Sequence, residues 1–113
     1  MGLLKTLFGR PTEDAVTPAA AAELVKAGAF ALDVRTPGEF SAGRIPGAHN
    51  IPVDRLKGRA SEAPRDRTVV VICLSGHRSR MAIGQLRALG YTDLVNLSGG
   101  MMAWRAAGLP MER

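Results

Sequence analysis

The sequence predicts an α/β domain built on a mostly parallel β-sheet, with right-handed crossovers between its strands. Patterns typical of helices and of strands alternate along the chain. The run Thr68–Cys73 (TVVVIC) is rich in β-branched residues, as in a central strand that is buried on both faces. The 113 residues leave room for one domain. We place this domain at residues 15–113, after a short N-terminal segment at residues 1–14.

The first predicted elements are a helix and a strand. Thr17 is a good N-cap, and Pro18 fits the first helical turn, where its missing N–H costs nothing. The run Ala19–Lys26 is rich in helix formers, and Gly28 is placed to end the helix. The apolar segment Phe30–Val34 then predicts a short buried strand.

The middle of the chain is less regular. Glu39–Ala42 is compatible with one helical turn, and Ala48–Ile51 with a short strand between prolines. Leu56–Arg67 is charged and irregular, and predicts a weak helix followed by a surface loop.

After the strand at Thr68–Cys73, the periodicity becomes helical again. Ser79–Leu89 places apolar residues at helical spacing, and Gly90 ends that helix. Asp93–Leu97 predicts another strand, and Met101–Ala107 a short last helix.

Composition narrows the classes of function. The net charge of +5 attracts anions, but the chain has only 4% aromatic residues and lacks a basic stripe interleaved with them, so we expect no nucleic-acid partner. The single cysteine excludes an internal disulfide. His49 and His77 show no ligand spacing to it, so we expect no metal.

The sequence also bears on location. It contains no run of 18 apolar residues, so we expect no transmembrane helix and no membrane partner. The segment Met1–Phe8 lacks the apolar core and the cleavage site of a signal peptide. It matches a loose myristoylation pattern. A frayed or loosely docked N-terminal turn is the simpler interpretation of this segment. We therefore expect a cytoplasmic protein that is a monomer or a weak dimer.

The most informative segment surrounds Cys73. A hydrophobic strand ends on this cysteine, a short loop containing Gly76 follows, and a helix begins at once. Ligands bind beyond the carboxyl ends of parallel strands, and a helix N-terminus stabilises an anion such as a thiolate. Arg78 is placed to pair with a substrate oxyanion. The alternative is that Cys73 is a buried small hydrophobe, but its place at the strand end favours a reactive thiol.

Three segments resemble signatures of the rhodanese-homology family of sulfurtransferases. The segment from Cys73 to Arg78 (CLSGHR) resembles the family's Cys-x-x-Gly-x-Arg active-site loop. Residues 33–52 (DVRTPGEFSAGRIPGAHNIP) resemble its upstream signature, and residues 99–110 (GGMMAWRAAGLP) its C-terminal one. The matches run in the family's order over nearly the whole globular part of the chain.

The resemblance implies a small, open, five-stranded parallel sheet flanked by helices on both faces. It also implies that the catalytic Cys73 cycles between thiol and persulfide, taking sulfur from a small anionic donor such as thiosulfate, or from a persulfide or polysulfide. The sulfur then passes to cyanide, a thiol or a protein, without metal or cofactor. Substrate binding falls to the loop residues Leu74, Ser75, Gly76, His77, Arg78 and Ser79.

Two positions depart from the family's pattern. Leu74 stands where many members carry a polar or basic residue, which puts the choice of thiosulfate over persulfide donors in doubt. Arg44 stands where the family very often has His, at a position that looks structural.

Other charged residues receive supporting roles. Asp33 and Arg35 lie at the end of a predicted strand, on the same sheet edge as Cys73, and an ion pair that holds the loops is favoured over direct catalysis. Glu39 has no second carboxylate beside it, so it is interpreted as a structural partner for a nearby backbone group or arginine. Functional and incidental roles are equally open for His77.

Two other classes of function compete. A cysteine phosphatase or arsenate reductase places five residues between Cys and Arg, whereas four separate Cys73 from Arg78 here. A regulatory binding module, or a sulfur relay that works only with a dedicated partner, is the second alternative. The relay hypothesis includes a positive rim formed by Arg78, Arg80 and Arg35 that attracts an anionic donor or an acidic partner surface.

Overall fold

The computed structural model describes residues 14–113, which contain a five-stranded sheet. All four neighbouring pairs are parallel, and the strand order is β1-β5-β4-β2-β3. The strands are β1 (Asp14–Val16), β2 (Phe30–Asp33), β3 (His49–Asn50), β4 (Val69–Ile72) and β5 (Leu94–Leu97). The predicted α/β class and the five-stranded parallel sheet implied by the resemblance are confirmed.

In residues 14–113, five α-helices connect and cover these strands. They are α1 (Pro18–Lys26), α2 (Pro37–Ala42), α3 (Leu56–Arg59), α4 (His77–Ala88) and α5 (Gly100–Ala106). Two short 3-10 turns, Val53–Arg55 and Ala60–Glu62, flank α3. The Thr17 hydroxyl accepts a hydrogen bond from the Ala20 N–H, which is the N-cap that the sequence predicted for α1.

Strand β4 is the centre of the domain. Its four residues are fully buried, because successive side chains point to opposite faces and helices cover both. Val69, Val71 and Cys73 pack with α4 residues such as Leu86 in one core cluster. Val70 and Ile72 pack in the other, whose residues from the covering helices include Ala21, Met101 and Trp104.

The structure differs from the predicted elements mainly at strand and helix ends. Strand β1 was missed; it has three residues, too few to show periodicity, and it begins at Asp14, the last residue of the predicted N-terminal segment. Helix α4 begins at His77, two residues before the predicted start, because the loop is tighter than expected. The interpretations of residues 1–13 lie outside the described part of the chain.

The topology sets the place of the site. Strands β2, β4 and β5 run parallel side by side, so their carboxyl ends meet at one edge of the sheet. Asp33 ends β2, Cys73 follows β4 directly, and α5 begins three residues after β5. Loops from three strands therefore converge there, as in other open parallel sheets that bind ligands.

Candidate active site

Cys73 lies where β4 passes into a tight loop. The residue is 1% exposed, and its Sγ accepts a hydrogen bond from the Gly76 N–H at 2.8 Å. Gly76 has φ +111° and precedes α4, so the loop turns back over the sulfur in a conformation that favours glycine. The loop thus points a backbone donor at the cysteine, as the sequence predicted.

Opposing effects act on the Cys73 thiol. Burial works to raise its pKa, because it disfavours the charged thiolate. Hydrogen bonds from the Ser79 hydroxyl and from the backbone N–H groups of Ser79, Gly76 and Ser75 outweigh burial, so the pKa of Cys73 lies below its ordinary value. The thiolate is therefore more populated near neutral pH than that of an ordinary buried cysteine.

Ser79 connects the cysteine to the sheet. Its hydroxyl lies 3.5 Å from Cys73 Sγ, 3.0 Å from the Gly76 carbonyl oxygen and 2.5 Å from Asn96 Oδ1 on β5. Both Ser79 and Asn96 are buried. When Cys73 is a thiol, its S–H donates to the Ser79 oxygen, and the Ser79 proton goes to Asn96 Oδ1 or to the Gly76 carbonyl oxygen. When Cys73 is a thiolate, its Sγ becomes a third acceptor for that proton.

The N-terminus of α5 donates hydrogen bonds to the backbone of the loop. The N–H groups of Met101 and Met102 donate to the carbonyl oxygens of Cys73 and Leu74 at 2.8 and 3.0 Å. Gly100, with φ +58°, allows this approach, because a Cβ there would lie 2.4 Å from the Cys73 oxygen. The segment Gly99–Gly100 therefore fixes the backbone of the loop.

Arg78 is held by a carboxylate. Its Nη1 and Nη2 donate to Oε1 and Oε2 of Glu39 at 2.8 and 2.9 Å, a bidentate pair that links α4 to α2. The hydrogen bond from Arg78 lowers the pKa of Glu39 to about 2, against an opposing effect of burial. Glu39 is thus the partner of an arginine, as its sequence context suggested.

Asp33 and Arg35 form a buried ion pair. Arg35 Nη2 donates to Asp33 Oδ2 at 2.7 Å and to the Gly43 carbonyl oxygen at 2.8 Å, while Nη1 reaches the Glu39 carbonyl oxygen at 3.3 Å. The residues are 0% and 1% exposed. Their geometry is that of a pair that holds loops together. Arg35 has no place on an exposed rim, so that part of the positive-rim hypothesis is wrong.

The remaining loop residues face outwards to different degrees. Ser75 and His77 are exposed, and Leu74 is partly buried. The structure thus brings all the predicted loop residues around Cys73, with Asp33 and Arg35 at the neighbouring strand end.

One residue and one contact of this site were not predicted from the sequence. Asn96 lies within an apolar strand, and a polar residue at a buried strand position is the signal that could have singled it out. The contact between Glu39 and Arg78 joins residues 39 positions apart, which no local pattern reveals.

Two features are absent from the described residues. They contain no group of three or more His, Cys, Asp and Glu side chains arranged to hold a metal ion. Within the same part of the chain, no helix has the length and apolar character needed to cross a membrane.

Known proteins share this fold. The family model of the Rhodanese-like domain matches residues 17–107, so the chain belongs to the rhodanese-like family. A crystal structure of a rhodanese-related protein from Thermoplasma volcanium superposes with a TM-score of 0.81 at 34% identity, covering 88% of this chain and 97% of that one.

Curated relatives include proteins named for sulfur transfer. A sulfurtransferase from Allochromatium vinosum is 45% identical over 80 residues, which are 71% of this chain and 75% of the relative. A thiosulfate sulfurtransferase from Ectopseudomonas mendocina is 32% identical over 91 residues, covering 80% and 84%. Some relatives are longer: the match covers 44% of one from Synechocystis sp..

Proposed function

We propose that this protein is a sulfurtransferase that carries a sulfane sulfur as a persulfide on Cys73. The observation that carries the proposal is the Gly76 N–H at 2.8 Å from Cys73 Sγ, in a loop that lowers the pKa of this thiol. Donors that stabilise a thiolate also stabilise the terminal sulfur of a persulfide, which carries the negative charge one atom further out. Membership of the rhodanese-like family supports the same reaction.

The reaction consists of two displacements at sulfur. The Cys73 thiolate attacks the outer sulfur of the donor, a new S–S bond forms, and the old one breaks with its electron pair on the leaving group. With thiosulfate the leaving group is sulfite, and with a persulfide it is a thiolate. An acceptor then attacks the outer sulfur of the Cys73 persulfide and regenerates the thiolate, so that cyanide becomes thiocyanate and a thiol becomes a persulfide.

The burial of Cys73 restricts what reaches it. The residue is 1% exposed, so a donor presents its terminal sulfur at the loop while the rest of the molecule stays outside. The same geometry accepts a low-molecular-weight donor or a persulfide on the surface of a partner protein. The chemistry needs a reduced cysteine, which a cytoplasmic location provides.

Intact-mass measurement tests the proposal. The protein is incubated with thiosulfate, or with a persulfide donor, freed of excess reagent and weighed beside Cys73→Ala. We expect the parent alone to gain about 32 Da, one sulfur atom, since thiolate attack at Cys73 is required. The gain should disappear when cyanide is added, with release of thiocyanate. Absence of any gain with all donors would refute sulfur transfer and favour a binding module.

A further inference from the structure

The charge at the mouth of the site is set by a residue outside the loop. We propose that Glu39 is a specificity-determining residue: by holding Arg78 in a bidentate ion pair, it withdraws the cation that a dianionic donor would bind, so the site prefers sulfur presented as a persulfide over thiosulfate. This inference rests on the proposed sulfur transfer at Cys73 and names the class of donor.

The Glu39 carboxylate is also held by its own helix cap. Glu39 Oε1 accepts hydrogen bonds from the Thr36 N–H at 2.9 Å and from the Thr36 hydroxyl at 3.1 Å, in a capping box at the start of α2. The Arg78 and Glu39 side chains are 28% and 30% exposed, so solvent screens them only in part. Moving Arg78 onto a donor would break two charge-assisted hydrogen bonds and leave the Glu39 carboxylate beside the incoming anion.

Two side chains beside the loop, those of Arg35 and Leu74, do not replace the charge that Glu39 withdraws. Glu39 stays ionised at any pH at which a thiolate forms, because the hydrogen bond from Arg78 lowers its pKa to about 2. Arg35 is buried and neutralised by Asp33. Leu74, the residue after Cys73, adds an apolar side chain where it could have added a charge.

The consequence differs between donors. Thiosulfate brings two negative charges towards a thiolate and a carboxylate, and repulsion raises its barrier. A persulfide in its protonated form, R–S–SH, brings none. The Cys73 thiolate attacks the terminal sulfur, and the S–S bond of the donor breaks with its electron pair on the inner sulfur. The products are the Cys73 persulfide, which retains the proton, and the thiolate R–S⁻.

Glu39→Gln tests the role of the carboxylate, because it removes the negative charge and one of the two acceptors that hold Arg78. Glutamine preserves the capping box, because its amide oxygen still accepts from Thr36, but it no longer neutralises Arg78. Glu62→Gln is the matched control, since Glu62 pairs with Arg59 away from the loop and its loss changes the net charge equally. The rate of persulfide formation on Cys73 is measured by mass with two donors, thiosulfate and the hydropersulfide of 2-mercaptoethanol, whose organic group is uncharged and which reacts in its protonated form.

The measured quantity is the ratio of the thiosulfate rate constant to the hydropersulfide rate constant. We expect Glu39→Gln to raise this ratio about fivefold at low ionic strength, and the increase to shrink in high salt. Glu62→Gln should leave the ratio at the parent value. An unchanged or lower ratio in Glu39→Gln, or an equal rise in Glu62→Gln, would overturn the role of Glu39.

The two proposals fail in different ways. A parent protein that gains no sulfur from either donor refutes the sulfurtransferase itself. If the parent gains sulfur from both donors and Glu39→Gln leaves the ratio of the two rate constants unchanged, the sulfurtransferase proposal stands. The role of Glu39 in donor selection is then refuted. Hydropersulfide loading of Glu39→Gln shows that its loop is folded, so a misfolded variant cannot be mistaken for either result.

Discussion

The Ser79 hydroxyl lies 2.5 Å from Asn96 Oδ1, so the side chain that supports the reactive cysteine is itself tied to the neighbouring strand β5. The same hydroxyl is 3.5 Å from Cys73 Sγ. Its proton goes to one acceptor at a time, and the choice decides how strongly the thiolate is stabilised. Asn96 therefore acts on the cysteine through Ser79, as a positioning residue.

Removing the hydroxyl of Ser79 should make Cys73 less reactive. Ser79→Ala takes away the largest of the hydrogen bonds that lower the pKa of Cys73, so that pKa rises and the thiolate fraction at neutral pH falls. We expect alkylation of Cys73 by iodoacetamide at pH 7 to slow several-fold, with the pH profile displaced upwards. Ser75→Ala is the control, because it keeps the backbone N–H and changes an exposed side chain. Equal profiles for Ser79→Ala and the parent would contradict this account.

Removing the competing acceptor should act in the opposite direction. In Asn96→Leu the Ser79 proton keeps the Gly76 carbonyl oxygen and, when Cys73 is a thiolate, Cys73 Sγ as acceptors, so the pKa of Cys73 should fall. Asn96→Leu should no longer change the pKa of Cys73 when it is combined with Ser79→Ala, because no Ser79 hydroxyl is left to donate to the sulfur. A displacement of the alkylation profile that survives in the double variant would show that Asn96 acts without Ser79.

Gly100 should tolerate no side chain. A Cβ at this position would lie 2.4 Å from the Cys73 carbonyl oxygen and 2.5 Å from that of Leu74, and backbone atoms cannot move aside cheaply. We expect Gly100→Ala to lower the free energy of unfolding by about 3 kcal/mol or more, measured by urea titration. Gly108→Ala is the matched control: its φ of +70° is similar, but nothing lies within 4 Å, so only the backbone cost of about 1–2 kcal/mol applies. Similar losses in the two variants would rule out the steric explanation.

The buried pair of Asp33 and Arg35 should be costly to break. Arg35→Met leaves the Asp33 carboxylate buried without its cation and removes the donor to the Gly43 carbonyl oxygen. We expect a loss of about 3–5 kcal/mol in the free energy of unfolding. The double variant Asp33→Leu/Arg35→Met should recover part of this loss, since no unpaired charge is left. If the double variant were less stable than Arg35→Met, the pair would not be the source of the cost.

Acid should weaken the contact between Glu39 and Arg78. Because the Glu39 pKa falls from an ordinary 4.5 to about 2 on folding, its ion pair stabilises the fold above about pH 4.5 and loses that contribution as the pH falls towards 2. We expect the parent to be more stable than Glu39→Gln by about 1–2 kcal/mol at pH 6, a value discounted for partial exposure, and the gap to close near pH 2. Urea titrations at several pH values measure the difference. A constant gap across this range would contradict the assignment.

Local sequence patterns were sufficient to predict the features that depend on neighbouring residues. The β-branched run at β4 and the glycine before α4 predicted a buried strand, a tight loop and a helix N-terminus around Cys73, because burial and backbone freedom follow from residue type. The helix ends at Thr17 and Gly28 followed from capping rules in the same way. Strand β1 was missed, because three residues carry no period and its pairing with β5 is decided by distant sequence.

What the sequence by itself determined is therefore the α/β class, the central strand and the place of the cysteine at its end. The tertiary structure decided which charges meet. It paired Arg78 with Glu39 and brought Asn96 to Ser79. The pair of Asp33 and Arg35, which are two positions apart, had been predicted from the sequence. Hydrogen bonds and ion pairs act over a few ångströms in space, whereas the residues at this sheet edge come from segments far apart in the chain. The position of the proposed nucleophile can therefore be predicted from the sequence, but the charge contacts that we propose select its donor form only on folding.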